Sequence, residues 1–171
     1  MDVIGTGVLE DKLKAYVTKN NLDNCVTFLG SMPPEKVRTY MEEANIFLFT
    51  SNKREGWGAV LNEAMNSGCV CVANSVIGSA PYLIDDGING LLYRGNSDFY
   101  EKVKYLLDHP EQWNEMGRRA YKTLEGEWNV STAAKRFLEM AESLLEGKQL
   151  PCYECGPMSL APIIKNNWYK G

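Results

Sequence analysis

A Rossmann-like α/β protein, with a three-layer parallel sheet and helices on both faces, is what the sequence predicts, and three observations carry the prediction. Short β-branched runs alternate with segments of helical period, the pattern of βαβ units feeding a parallel sheet. Two apolar runs, "IFLFTS" at 46–51 and "CVCVAN" at 69–74, are near-continuous, as strands buried on both faces require. Between them lies "NKREGWGAVLNEAMNSG", a glycine-bearing loop and a helix that can carry the chain from one strand to the next.

The elements follow in order. "DVIG" is the first strand, and a helix runs from about Leu9 to Lys19 before the strand "CVTFLG" at 25–30. Pro33 and Pro34 then open a helix, because proline's fixed φ suits a first turn. Its buried face is Val37, Tyr40, Met41 and Ala44, at the i, i+3, i+4, i+7 spacing. After "CVCVAN" a short helix in "GSAPYLI" ends at "DDGING", whose glycines suit left-handed turns, and a strand covers 91–93. Helical patterns cover Asp98 to Asp108, Glu111 to Leu124 and Asn129 to Glu146, the last capped by Asn129 or Ser131. Residues 1–147 thus read as one domain. Residues 148–171, with three of the seven prolines and "NNWYKG", read as a tail, docked or disordered.

Composition narrows the function. The 171 residues, 44% of them hydrophobic, suffice for one buried core. A net charge of −4 with scattered Lys and Arg lacks the basic stripe that nucleic-acid binding needs. No apolar run approaches the roughly 20 residues of a membrane helix. The amino terminus shows no signal-peptide pattern, so a cytoplasmic location is expected. Cys25, Cys69 and Cys71 sit in apolar strand-like runs, where thiols behave as small hydrophobes. Cys152 and Cys155 form a CxxC without a second pair, so no metal site is expected. The single histidine, His109, precedes a proline at a helix end, where capping is its expected role.

The loop and helix at 52–68 carry the chemistry. In an open parallel sheet, ligands sit beyond the carboxyl ends of the strands, and "IFLFTS" ends at such a place. Glycines at 56 and 58 let the amides of Trp57 to Val60 approach an anion closely at the positive end of a helix dipole, which suits a diphosphate. On the helix, Val60, Leu61, Ala64 and Met65 gather on one face, and Glu63 points away from it toward cleft or solvent. A carboxylate there can accept two hydrogen bonds from ribose hydroxyls, and Glu55 in the turn can do the same for a second sugar. The same two positions also suit ordinary solvated glutamates, favoured by the helix dipole alone.

The ordered set "EGWG", seven residues between Glu55 and Glu63, "EAMNSG", "CVCVAN", "GSAP" and "NGLL" resembles the donor-binding, carboxy-terminal lobe of the family 4 (group 1) retaining glycosyltransferases of two-lobed GT-B fold. "VIGTGVLEDKLKAYV" and "VTFLGSMPPEKVRTYMEEANIFLF" extend the resemblance over about residues 2–145. It implies transfer of a hexose from a UDP- or GDP-sugar with retention, in capsular polysaccharide, lipopolysaccharide or glycolipid synthesis, without a metal or other cofactor. It implies further that Glu55 is catalytic, beside the hexose, and that Glu63 binds the ribose. The amides of Gly56, Trp57, Gly58, Ala59 and Val60 would hold the diphosphate, with Gly5, Gly7, Leu29 and Gly30 lining the donor cleft.

Two positions depart from the family pattern: Tyr82 stands where a glutamate is usual, and Cys69 where a proline is usual. The family's basic Arg and Lys, the first strand and helix of the lobe, and the acceptor-binding lobe would all precede Met1. This chain is therefore expected to bind donor without turnover, the complete enzyme being cytoplasmic or at the inner membrane face. The alternative is a non-catalytic nucleotide-sugar-binding module completed by a separate partner chain.

Overall fold

The computed structural model describes residues 1–161, so the "NNWYKG" end of the expected tail lies outside the described residues. The chain divides into two compact units, Met1–Tyr40 and the part from Met41 onward. Among the described residues strand pairing follows the same division. Two parallel sheets stand where the sequence reading has one.

In the first unit, β1 (Asp2–Ile4) pairs in parallel with β2 (Thr27–Gly30), with an irregularity between Val3 and Ile4. They are joined through α1 (Glu10–Lys19), which carries Glu10 and Asp11 in its first turn and Lys19 in its last, the charge order that complements a helix dipole. Cys25 is exposed and precedes β2, correcting its expected burial. The turn from Leu22 takes it instead, with the Cys25 N–H donating to the Leu22 carbonyl at 3.0 Å. α2 (Pro34–Glu43) starts at the expected proline; the division between the units falls within it. Its Met41 is buried, but Ala44 lies beyond the helix end and is exposed.

The second unit continues with β3 (Ile46–Phe49), α3 (Val60–Asn66), β4 (Val70–Asn74), α4 (Ala80–Leu83) and β5 (Leu91–Tyr93). α5 (Gly95–Asp108), a 3₁₀ turn at Pro110–Gln112, α6 (Trp113–Gly126) and α7 (Val130–Leu145) complete it. The sheet is parallel in the order β3-β4-β5. β4 is central, and every residue from Val70 to Ala73 is fully buried. Val70 and Val72 pack with Leu91, Tyr93, Leu106 and Met116. Alternation along the strand sends Cys71 and Ala73 to the opposite face, so helices cover both sides, as the near-continuous apolar run implied.

Polar contacts set the helix ends. The Arg94 N–H donates to Asp98 Oδ2 at 2.7 Å, which starts α5 at Gly95, earlier than the helical period suggested. The Asn129 side chain accepts from the Thr132 N–H at 2.8 Å, making Asn129 the cap of α7. His109 closes α5 through its backbone N–H to the Leu106 carbonyl, while its ring nitrogen Nδ1 lies 3.0 Å from Glu111 Oε1. α7 has no buried residue, and Val130, Phe137, Leu138, Leu144 and Leu145 are exposed along it. The first part of the tail is docked: Arg136 of α7 donates to the carbonyls of Cys155 (2.6 Å) and Pro157 (3.0 Å), pairs with Glu127, and lies over the Tyr153 ring.

Candidate functional site

In the first unit, the glycines expected to line a cleft gather where β1 and β2 end. Gly5, at φ +120°, donates its N–H to the Gly30 carbonyl at 2.8 Å, and Gly30 itself has φ +70°. The Gly7 carbonyl accepts from the Glu10 N–H at 3.0 Å, leading the chain into α1, and Leu29 precedes Gly30 on β2.

In the second unit, β3 ends at Phe49 and the chain enters the loop that carries Glu55. Two amides from the β4–α4 connection hold this loop by its carbonyls: Gly78 N–H donates to Glu55 O at 3.4 Å, and Ser79 N–H to Trp57 O at 3.0 Å. The approach is close enough that only glycine fits at 78, where a Cβ would meet the Gly56 carbonyl. Gly58 is required for two reasons, its φ of +80° and the Phe49 ring 2.7 Å from where its Cβ would lie. Gly56 has open space beside it, so the fold leaves room on that side of the turn.

Further bonds run forward from the turn. The carbonyls of Gly58 and Ala59 accept from the amides of Leu61 (2.9 Å) and Glu63 (3.1 Å), which begins α3. By contrast, the amides of Gly56, Trp57, Gly58, Ala59 and Val60 have no hydrogen-bond partner among the described residues. The turn is therefore fixed through its acceptors and leaves five successive donors unused. Such a run of donors at a helix start is an electrostatic match for an anion.

Leu61, Ala64 and Met65 are buried and Glu63 is exposed, as the helical spacing predicted. Glu63 lines an open groove of ≈ 750 Å³ with Asn62, Asn66, Tyr121, Glu125 and Trp128. Glu55 is half-buried in the turn. Asn52, Lys53, Arg54 and Val76 border a smaller hollow of ≈ 430 Å³ beside the same loop. Ser79 Oγ is fully buried without a hydrogen-bond partner among the described residues. No three His, Cys, Asp or Glu side chains gather among the described residues where they could hold a metal ion.

Sequence reasoning missed the residues that surround Trp57. Its indole N–H donates to Asn62 Oδ1 at 2.9 Å, and its ring stacks on Tyr82 (6.1 Å, 28°) and packs against Trp128 (5.5 Å, 44°). Tyr82 and Trp128 lie far from Trp57 along the chain, and no local pattern links them to it.

A parallel α/β unit with a glycine turn at a strand's carboxyl end is the framework of nucleotide- and phosphate-binding α/β proteins. The chain belongs to the glycosyl transferases group 1 family, whose pattern matches residues 1–123. It is 36% identical over 149 residues to the amylovoran biosynthesis glycosyltransferase AmsK of Erwinia amylovora, covering 83% of this chain and 36% of that protein. Its fold is that of the GT-B glycosyltransferases. The crystal structure of Anabaena HepE in complex with UDP aligns with TM-score 0.72 at 23% identity, over 83% of this chain and 40% of that one. The C-terminal domain of the group 1 protein LpcC from Francisella tularensis aligns with TM-score 0.64 at 21% identity, over 71% of this chain and 63% of that one. The chain spans only 28%, 36% and 40% of the first three curated relatives it matches. No helix among the described residues is long and apolar enough to cross a membrane.

Proposed function

We propose that this chain is the donor-binding half of a retaining glycosyltransferase, holding a UDP- or GDP-hexose for transfer to a glycan or glycolipid acceptor. The observation that carries the reading is the turn at 55–60, pinned by its carbonyls and presenting five unused amides next to the helix that bears Glu63. The amides of Gly56 to Val60 take the diphosphate, whose developing charge in the transition state they and the α3 dipole stabilise without a metal ion. Glu63 accepts hydrogen bonds from the ribose hydroxyls. Glu55 accepts from the hexose hydroxyls and stabilises positive charge as the bond to the phosphate breaks. Gly5, Gly7, Leu29 and Gly30 of the first unit are assigned to donor binding as well, the glycines by the room that a missing side chain leaves.

Acceptor binding and turnover belong to a second lobe, which the greater length of the relatives accommodates. The complete enzyme works in the cytoplasm or at the inner membrane face. The exposed apolar row on α7 favours a second reading, a binding module completed by a separate chain that covers this row.

Calorimetric titration with UDP, GDP and their hexose conjugates tests the reading. Wild-type binding that Glu63→Ala weakens by roughly 1.5–3 kcal/mol, the range for a lost charge-assisted hydrogen bond, is the expected result. Absence of binding to every nucleotide at millimolar concentration would sink it.

A further inference from the structure

The departure at position 82 has a structural counterpart. Tyr82, on α4, stacks on Trp57, and Trp128, from the connection between α6 and α7, meets both rings, 5.5 Å from Trp57 and 6.4 Å from Tyr82. Three segments distant in sequence thus converge on the one large side chain of the glycine turn. With Asn62 accepting from its N–H, the Trp57 indole is held on two ring contacts and at its polar edge.

The cluster is poorly placed to serve as core. Trp57 is 40% exposed, and Tyr82 and Trp128 are only half-buried, whereas Val70 to Ala73 of β4 are fully buried. Its effect is on geometry. Trp57 lies between Gly56 and Gly58, two residues with few conformational restraints of their own. The backbone bonds from Gly78 and Ser79 fix carbonyls on this loop but engage none of its five amides. Each planar peptide ties an amide to the preceding carbonyl, so the bonded carbonyls of Glu55, Trp57, Gly58 and Ala59 hold the amides of Gly56, Gly58, Ala59 and Val60, whereas the Trp57 amide shares its peptide with the Gly56 carbonyl, which accepts no hydrogen bond among the described residues. Holding the indole restrains that peptide, since a side chain packed against two neighbouring rings and bonded at one edge fixes the Cα–Cβ vector of its residue.

We propose that Tyr82 and Trp128 are positioning residues for the donor's diphosphate: by holding the Trp57 indole they preset the Trp57 amide, the one unused donor of the turn whose peptide carbonyl is unbonded, for the anion. The proposal rests on the reading of the turn given above and deepens it. It gives the α6–α7 connection, well beyond the motif itself, control over donor affinity.

Titration of the 171-residue chain with UDP and GDP, together with amide and indole NMR resonances, tests it. Trp128→Ala is expected to weaken nucleotide binding roughly tenfold or more, while Trp128→Phe, which keeps a ring in place, stays within about twofold of wild type. In Trp128→Ala the Trp57 indole N–H and backbone amide should shift or broaden, while resonances of the buried strand β4 stay in place. Should Trp128→Ala fail to fold, Tyr82→Ala carries the same expectation from an independent contact. Wild-type binding that either alanine variant leaves unchanged, with unmoved turn resonances, would overturn this proposal alone. Failure of the wild-type chain to bind either nucleotide would remove the reading of the site and this proposal with it.

Discussion

A Cβ atom on Gly78 would lie 1.6 Å from the carbonyl oxygen of Gly56. The two loops that leave β3 and β4 are in backbone contact there, and the turn at 55–58 takes its shape from that contact.

Gly78→Ala must therefore push the loops apart, breaking the bonds from Gly78 and Ser79 to Glu55 and Trp57. The expected cost is about 1–3 kcal/mol in urea denaturation, in the range of overpacking substitutions, with loss of nucleotide binding even where the fold survives. Wild-type stability and affinity in Gly78→Ala would show that the loops are not coupled.

On the proposed reading, Glu55 and Glu63 separate by ligand. Glu55→Gln should bind UDP about as well as wild type, within roughly twofold, and lose most of the extra affinity that a hexose adds, since a neutral amide makes weaker hydrogen bonds. Titration with UDP and a UDP-hexose on the same variant reads the difference. Equal losses for both ligands would assign Glu55 to the nucleotide instead.

Ser79 predicts a gain. Its hydroxyl is buried and unpartnered among the described residues, so Ser79→Ala removes a desolvated polar group while leaving the backbone bond to Trp57 intact. Stability should rise by up to about 1 kcal/mol, read as a shift in the urea midpoint. A drop of similar size would mean that the hydroxyl has a partner in solution.

Burial pushes the Cys69 thiol up to about 11 from an ordinary value of 9.0, and the fully buried Cys71 thiol is raised well above it. A raised thiol is neutral in the folded chain where the unfolded chain has begun to ionise, so its contribution is complete below pH 9 and is lost as pH rises toward 11. The stability difference between wild type and Cys69→Ala should accordingly shrink across that window, by roughly 2 kcal/mol. Denaturation series at pH 8, 9, 10 and 11 would show it, and a constant difference would mean that the thiol is solvated in the fold.

Arg136 holds the start of the tail through two carbonyls, Glu127 and the Tyr153 ring. Arg136→Ala removes the ion pair of Glu127 and leaves those carbonyls without their donor. Faster hydrogen exchange over residues 151–157 and faster modification of Cys155, with the exchange of β4 unchanged, are the expected outcome. Unaltered exchange in the tail would show that other contacts hold it.

Most of the fold and the outline of the site were legible in the sequence, for physical reasons that differ by element. β3 and β4 announce themselves because a strand buried on both faces cannot tolerate polar residues, and Glu63 because helical geometry alone turns it away from Leu61, Ala64 and Met65. The α5 start was missed because it depends on one hydrogen bond from Arg94 to Asp98, and the exposure of Cys25 because the local turn takes it out of the strand. The need for glycine at 78 and the ring cluster of Trp57, Tyr82 and Trp128 were out of reach. Each is a contact between residues more than 20 positions apart, which periodicity and turn chemistry do not encode. The division of the strands between two sheets is likewise a matter of long-range pairing rather than of local pattern.

On the proposed reading, the five unused amides also fix the calorimetric character of donor binding. A turn already held open orders no chain when a nucleotide arrives, so association should lack the large negative heat capacity change of coupled folding, in which roughly 1,000–3,000 Å² is buried. What remains is the placing of phosphate oxygens on donors that the fold leaves unpaired, a reaction driven by enthalpy and weakened by added salt.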